Sequence, residues 1–147
     1  MTSIKSIQAT ENDYPQLIGI WEKSVKETHH FLSTTDFEII KKELPTYFSN
    51  VEVQIWLDQN DIIGFSGVSE QKLEMLFLDP AFIGKGYGRQ ILALLVEKNA
   101  VHFVDVNEQN QAALRFYLAC DFEEYDRSEL DDAGRPYPII NLKKSTH

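Results

Sequence analysis

A chain of 147 residues is one domain by size, long enough to close a core without disulfides or a structural metal. Its formal net charge of −9 disfavours non-specific attraction to nucleic acid or an anionic membrane and leans toward cationic partners. No apolar run approaches the roughly twenty residues of a membrane span, no basic stretch precedes an apolar one at the N-terminus, and the single cysteine, Cys120, has no internal partner, so a cytoplasmic protein is expected.

Ser3 to Ala9 reads as a short first strand. Tyr14, Leu17, Ile18, Trp21 and Val25 recur at helical spacing behind Thr10 or Asn12 as candidate caps, with Pro15 in the first turn. Thr35-Asp36-Phe37-Glu38 is a capping-box arrangement that announces a second helix reaching about Leu44, before Pro45. The connector between the two is His29-His30-Phe31-Leu32-Ser33. Val51, Val53, Ile55 and Leu57 alternate, Asp58 to Asp61 supplies turn chemistry, and Ile62 to Val68 is rich in β-formers, which predicts a hairpin. Leu73 to Leu78, LEMLFL, is the third strand of that meander and is closed by Asp79-Pro80.

Next comes AFIGKGYGRQILALLVEK, Ala81 to Lys98, in which Gly84, Gly86 and Gly88 run into an apolar helical pattern from about Gly88 to Lys98. Val101 to Val106, VHFVDV, reads as a buried strand. Strand, glycine loop, helix and strand together make a crossover unit with parallel strands. Asn110 caps a helix through Ala119, and Phe122 to Arg127 and Tyr137 to Leu142 form a last hairpin around Asp131-Asp132-Ala133-Gly134. No repeat or long linker interrupts the chain, so residues 1–147 are read as a single α/β domain. Its mixed, mostly antiparallel sheet has about seven strands, with about four helices and one central parallel crossover.

Three of the chain's seven glycines within five positions need a backbone reason, either left-handed geometry or the close approach of a ligand. At a strand-to-helix turn such glycines let several N–H groups point into one concavity at the positive end of the helix dipole. Lys85 and Arg89 add cations where a pyrophosphate would sit. The P-loop pattern fails because Tyr87 follows Gly86, and the dinucleotide fingerprint is poorly matched because Arg89 stands where its third glycine belongs.

Ile83-Gly84-Lys85-Gly86-Tyr87-Gly88, with Asp79-Pro80 ahead and a helix behind, resembles the acyl-CoA loop Gln/Arg-x-x-Gly-x-Gly of the GNAT superfamily of N-acetyltransferases. Ile83 stands where a polar residue is usual. Asn110-Gln111-Ala112-Ala113-Leu114-Arg115-Phe116-Tyr117, followed by Asp121-Phe122, is similar to the family's Asn-x-x-Ala-x-x-Phe-Tyr and later Gly-Phe, with Asp121 in place of the glycine. The resemblance follows the element order of nearly the whole chain and is strongest from Leu73 to Phe122. The tail GRPYPIINL and the stretch VNEQN are similar to a small bacterial subgroup of the family.

The resemblance implies transfer of an acetyl group from acetyl-CoA to a primary amine by direct attack in a ternary complex. It gives Gly84, Lys85, Gly86, Tyr87, Gly88 and Arg89 to the cofactor's diphosphate, the main chain of Phe77 and Leu78 to the pantetheine and thioester, and Asn110 to a hydrogen bond with the pantetheine arm. Tyr117 becomes the general acid for the CoA sulfur, since a phenol with a pKa of about 10 is protonated at neutral pH. The plainer alternative is a core aromatic beside Ala113 and Leu114. Asp105, near the end of VHFVDV, is the leading base, with Glu70 and Glu74 as rivals; an acid at a strand end can equally be solvated or cap the next turn. In such folds His29 and His30 border the acceptor site, so substrate contact or proton relay is weighed against surface histidines. Neither HExxH nor a Cys/His ligand cluster accompanies them, and no metal is expected. The acceptor is an amine-bearing small molecule or protein, with no nucleic acid or membrane partner, and the last hairpin offers an edge for a homodimer. The alternative function is a catalytically weak acyl-CoA-binding sensor or regulatory module.

Overall fold

The computed structural model describes residues 4–28 and 30–145. Seven strands form one sheet in the order β1 (Ile4–Gln8), β2 (Glu52–Asp58), β3 (Asp61–Ser69), β4 (Lys72–Leu78), β5 (Phe103–Asn107), β7 (Ile139–Lys144), β6 (Phe122–Ser128). The pairing of β4 with β5 is parallel and every other pairing is antiparallel, so the mixed sheet around one crossover is present as expected. β7 inserts between β5 and β6, which leaves β1 and β6 as the two edges.

Strand alternation sends side chains to two separate cores. Val53, Ile55 and Phe65 pack with Leu17, Trp21 and Val25 of α1 (Tyr14–Thr28) and with Leu44 and Phe48 of α2 (Thr34–Ser49). Trp56, Ile63, Val104, Val106 and Leu142 pack on the other face with Ile91 and Leu95 of α3 (Tyr87–Lys98) and Tyr117 of α4 (Gln111–Ala119). The buried Trp56 indole donates to Ser66 Oγ at 2.8 Å, so that polar pair is satisfied inside the apolar layer.

Two boundaries differ from the sequence reading, each for a local reason. The cap of α2 is Ser33, whose Oγ accepts from the Asp36 amide at 3.1 Å, two residues ahead of the capping box read at Thr35. The helix also runs through Pro45 to Ser49. A mid-helix proline forfeits one backbone hydrogen bond, but Leu44 and Phe48 flank it at 2% and 1% exposure. The Phe48 ring is held 5.0 Å from Tyr14 and 5.6 Å from Phe65. Burial of that turn outweighs the lost bond.

Asp121, just after α4, adopts φ 69°, the left-handed region where glycine is free of a Cβ clash. This explains why glycine is usual there, and why the short polar aspartate can replace it. Asp121→Gly is expected to raise stability by up to about 1 kcal/mol, read as a higher urea midpoint with an unchanged m-value.

Candidate active site

β4 and β5 are joined by only two register pairs, Lys72 with Phe103 and Leu73 with Val104. Beyond them the strands part. On its other side β4 keeps β3, but the register shifts: Gly67 opposes Met75 while Val68 opposes Leu73, so Glu74 is the extra residue of a β-bulge at the vertex of the fork. The Asp79 amide donates to the Ile63 carbonyl at 2.9 Å. Counting back by twos along an antiparallel ladder, Phe77 and Met75 also turn their peptide groups toward β3, and the Phe77 carbonyl is the backbone atom nearest to where a Cβ on Gly64 would lie. Leu76 and Leu78 therefore present N–H and C=O to the gap. Phe77, expected to share that task with Leu78, faces β3 instead, and its ring packs 5.7 Å from Phe65 on the α1/α2 face.

At the end of β4, Asp79 Oδ1 accepts from the Ala81 amide at 3.0 Å and starts a short 3-10 turn, Pro80–Phe82. The glycines that follow serve two different needs. Gly84 and Gly86 have φ of 82° and 85°, Gly86 being the N-cap of α3, so both are required by backbone conformation. Gly88 is helical, and a Cβ on it would lie 3.4 Å from the Phe116 ring, so it lets α3 approach α4 closely. Tyr87 opens the helix, but its side chain leaves the loop: the hydroxyl donates to Asp58 Oδ2 at 2.5 Å, and that bond, with burial and the carboxylate's charge, raises the phenol pKa. Lys85 is exposed, with Nζ 5.9 Å from the centre of the Phe82 ring.

Between the separated strands, α3 and α4 lies a cavity of about 540 Å³ bordered by Leu76, Leu78, Gly84, Gly86, Arg89, Asn110 and Tyr117. Tyr117 is 7% exposed and sits edge-on to Phe116 and Phe122, at 5.1 and 6.0 Å. Its hydroxyl makes no hydrogen bond among the described residues, and burial pushes its pKa up, so the phenol is held in its protonated form. Asn110 spends Oδ1 on the Ala113 amide, 3.2 Å away, as the N-cap of α4. Cys120 lies at the C-cap of that helix and does not border the cavity; burial raises its thiol pKa, which suits a packed residue rather than a nucleophile.

A second cavity of about 500 Å³ opens on the opposite face, between α1, α2 and the β6–β7 turn, with Trp21, Ile40, Leu44, Asp132 and Arg135 among its walls. Glu74, Met75, Phe77 and Asp105 border both cavities, so the fork is where they meet. The two shared carboxylates differ in their surroundings. Asp105 is ion-paired with Lys72 and accepts from Asn141 Nδ2 at 2.7 Å. Glu74 lies 3.7 Å from the same Lys72. Burial raises the Glu74 pKa, Lys72 pulls it down, and the charges of Asp105 and Asp132 push it up again, for a net rise. On Lys72 burial acts downward, but the bond and charge of Asp105, with Glu74 and Asp132 behind, leave its pKa raised.

Of the other expected residues, His30 is exposed and borders neither cavity, and Glu70 is exposed in the β3–β4 turn. His29 lies outside the described residues. Lys72, Leu76, Asn141 and Arg135 were not anticipated. Only Lys72 left a trace in the sequence, as a cation two positions before Glu74 on one strand.

A family model described as "Acetyltransferase (GNAT) domain" matches residues 50–124, just over half of the chain. The chain is 37% identical over 134 residues to the peptidyl-lysine N-acetyltransferase YjaB of Escherichia coli, covering 86% of this chain and 87% of that protein. Among solved structures it is similar to the solution structure of apo-form YjaB from Escherichia coli, with a TM-score of 0.89 and 30% identity over 98% of this chain and 99% of that one. It also shares the fold of the PaiA N-acetyltransferase of Thermoplasma acidophilum in complex with coenzyme A, with a TM-score of 0.72 and 20% identity over 98% and 100% of the two chains.

The two classes of glycine respond differently to substitution. Gly86→Ala should cost about 1 kcal/mol by forcing an L-residue into left-handed backbone, whereas Gly88→Leu should cost roughly 1–3 kcal/mol through overpacking against Phe116. Chemical denaturation of both variants measures the difference, and equal small losses would show that α3 and α4 are not in tight contact.

Proposed function

The chain belongs to the GNAT acetyltransferase family and transfers an acetyl group to an amine; we propose that the donor is acetyl-CoA and that the acceptor is an ammonium on an alkyl stem, a peptidyl lysine. The observation that carries this reading is the meeting of two cavities at the β4–β5 fork, one from each face of the sheet, with Glu74 and Asp105 bordering both.

The donor side fits coenzyme A. Left-handed Gly84 and Gly86 turn main-chain amides outward at the start of α3, where a diphosphate is favoured, with Arg89 at the cavity wall and Lys85 exposed beside it. Leu76 and Leu78 offer peptide groups to the amides of a pantetheine arm laid along the gap, as an added strand would. Asn110 borders the same path, and the Tyr87 side chain serves the loop by tethering it to Asp58. On the acceptor side, Trp21, Ile40 and Leu44 suit a methylene stem, while Glu74 and Asp132 suit its cationic end.

In this reading Glu74 accepts one proton from the acceptor ammonium. The freed nitrogen attacks the thioester carbonyl, a C–N bond forms, the C–S bond breaks, and Tyr117 protonates the departing sulfur. The second nitrogen proton, released as the amide forms, replaces the one Tyr117 gave, so one proton leaves overall. Asp105, first expected to be the base, is assigned to positioning because Lys72 and Asn141 already hold its carboxylate. A cytoplasmic setting and a homodimer paired through the β6 edge, exposed after Phe122, belong to the same proposal. Nucleic acid and membranes are not proposed as partners; among the described residues no helix is long and apolar enough to cross a membrane.

Tyr117→Phe should lower kcat by about a hundredfold or more, the usual scale of general-acid loss, with acetyl-CoA affinity unchanged by calorimetry; unaltered turnover would remove Tyr117 from the role. The pH dependence separates the carboxylates. Glu74 works only when ionised, so kcat/KM falls as pH drops through its raised pKa. Lys72→Met removes a cation that holds that pKa down and should move the acid limb to higher pH. Asp105→Asn removes a charge that pushes it up and should move the limb to lower pH with activity retained, whereas abolished activity in Asp105→Asn beside an active Glu74→Gln would give Asp105 the base role.

A further inference from the structure

We infer that Arg135 is the pin of a clasp that closes the acceptor pocket and sets acceptor affinity, an inference that rests on reading the second cavity as the acceptor site. One wall of that cavity belongs to the turn after β6, which the chain reaches about a hundred residues after α1 and α2 have supplied the facing wall. A surface turn of this kind holds its place only if something fastens it.

The turn is first shaped from within. Asp131 Oδ1 accepts from the amides of Ala133 at 3.0 Å and Arg135 at 2.8 Å, and Gly134 takes φ 78° to complete the bend. That bend brings Arg135, one of the cavity's lining residues, against α2. There the guanidinium lies 3.8 Å from Asp36 and 3.5 Å from Glu43, with Asp131 at 3.3 Å on its own side. Its side chain is 16% exposed, so the attraction is less screened than at a surface pair. Tyr137 adds a second fastening: its hydroxyl donates to Asp36 and accepts from the Ser33 amide at 3.4 Å.

The charge pattern gives the clasp a second effect. Arg135 engages Asp36, Glu43 and Asp131, while Glu74 and Asp132 border the cavity without an ion pair to it. Recognition is thereby focused on the end of the pocket where chemistry is proposed, instead of spread over five acids. The planar, multiply donating guanidinium can bridge carboxylates on two elements at once, which a lysine ammonium does less well. None of these contacts touches the glycine loop.

The test compares Arg135→Ala, Arg135→Lys and the double variant Asp36→Asn/Glu43→Gln with the unaltered protein. Steady-state kinetics use acetyl-CoA and a short peptide with a single lysine. Arg135→Ala should raise the peptide KM about tenfold while the acetyl-CoA KM stays within about twofold, with partial recovery in Arg135→Lys. Attacking the pin from α2, the double variant should reproduce the rise. Amide exchange gives a readout independent of turnover: residues 129–138 should lose protection in Arg135→Ala while β4 and α3 keep theirs. An unchanged peptide KM, an equal rise in both KM values, or unchanged exchange in the turn would each overturn the clasp. If the unaltered protein acetylates no lysine peptide, the acceptor reading fails, and the exchange result still decides whether Arg135 pins the turn.

Discussion

Where the β4–β5 ladder stops governs everything around it. An interior strand normally spends the hydrogen-bonding groups of both edges on neighbours, and a buried group left unpaired is costly. Here β4 keeps one neighbour throughout and loses the other after Leu73, so the peptide groups of Leu76 and Leu78 require partners that the sheet does not supply. A slot with that requirement selects for an extended, amide-bearing ligand. The bulge at Glu74 produces the divergence, and the contact of Lys72 and Asn141 with Asp105 ties β4, β5 and β7 together at its base. The fork is thus braced rather than frayed.

The glycine loop finishes what the fork begins. Positive φ at Gly84 and Gly86 turns amides outward at the start of α3, while Gly88 brings that helix close to Phe116 and so to the helix bearing Tyr117. The proposed diphosphate cradle and the proposed proton donor are thus coupled through one close helix contact. The Tyr87–Asp58 bond ties the loop to the β2–β3 hairpin, so two elements distant in sequence fix its aim.

Local patterns were sufficient to read the strands, the four helices, the crossover and the glycine loop, because period 2, period 3.6 and turn chemistry are properties of neighbouring residues. What they could not reveal depends on register or on distant pairs. LEMLFL is apolar on both faces, so nothing in it tells which peptide groups meet β3, and only the register shows that Leu76, not Phe77, faces the gap. Thr35 and Ser33 both precede a polar residue by suitable spacing, and only the packed turn decides which one caps. Pro45 argued for a helix end that burial of Leu44 and Phe48 overrides. The partners of Asp105 and Arg135 lie on other strands and helices, and residue spacing carries no sign of them.

The acids at the fork pose an electrostatic problem that Lys72 resolves. Burial raises the Glu74 pKa and the charges of Asp105 and Asp132 add to that rise, so without a cation Glu74 would hold its proton to still higher pH. Lys72, ion-paired with Asp105 and 3.7 Å from Glu74, offsets part of that rise. In the proposed reaction a base for an ammonium is helped by a raised pKa, because ordinary exposed carboxylates are too weak to take its proton, and it is hindered by one raised so far that it arrives already protonated. In the role proposed for Glu74, an entering acceptor cation would favour its ionised form; once the proton had passed, the neutral amine no longer would, and desolvation would then help Glu74 to keep it. The burial that raises the Glu74 pKa thus favours the proposed transfer at the stage where the nitrogen must remain free to attack.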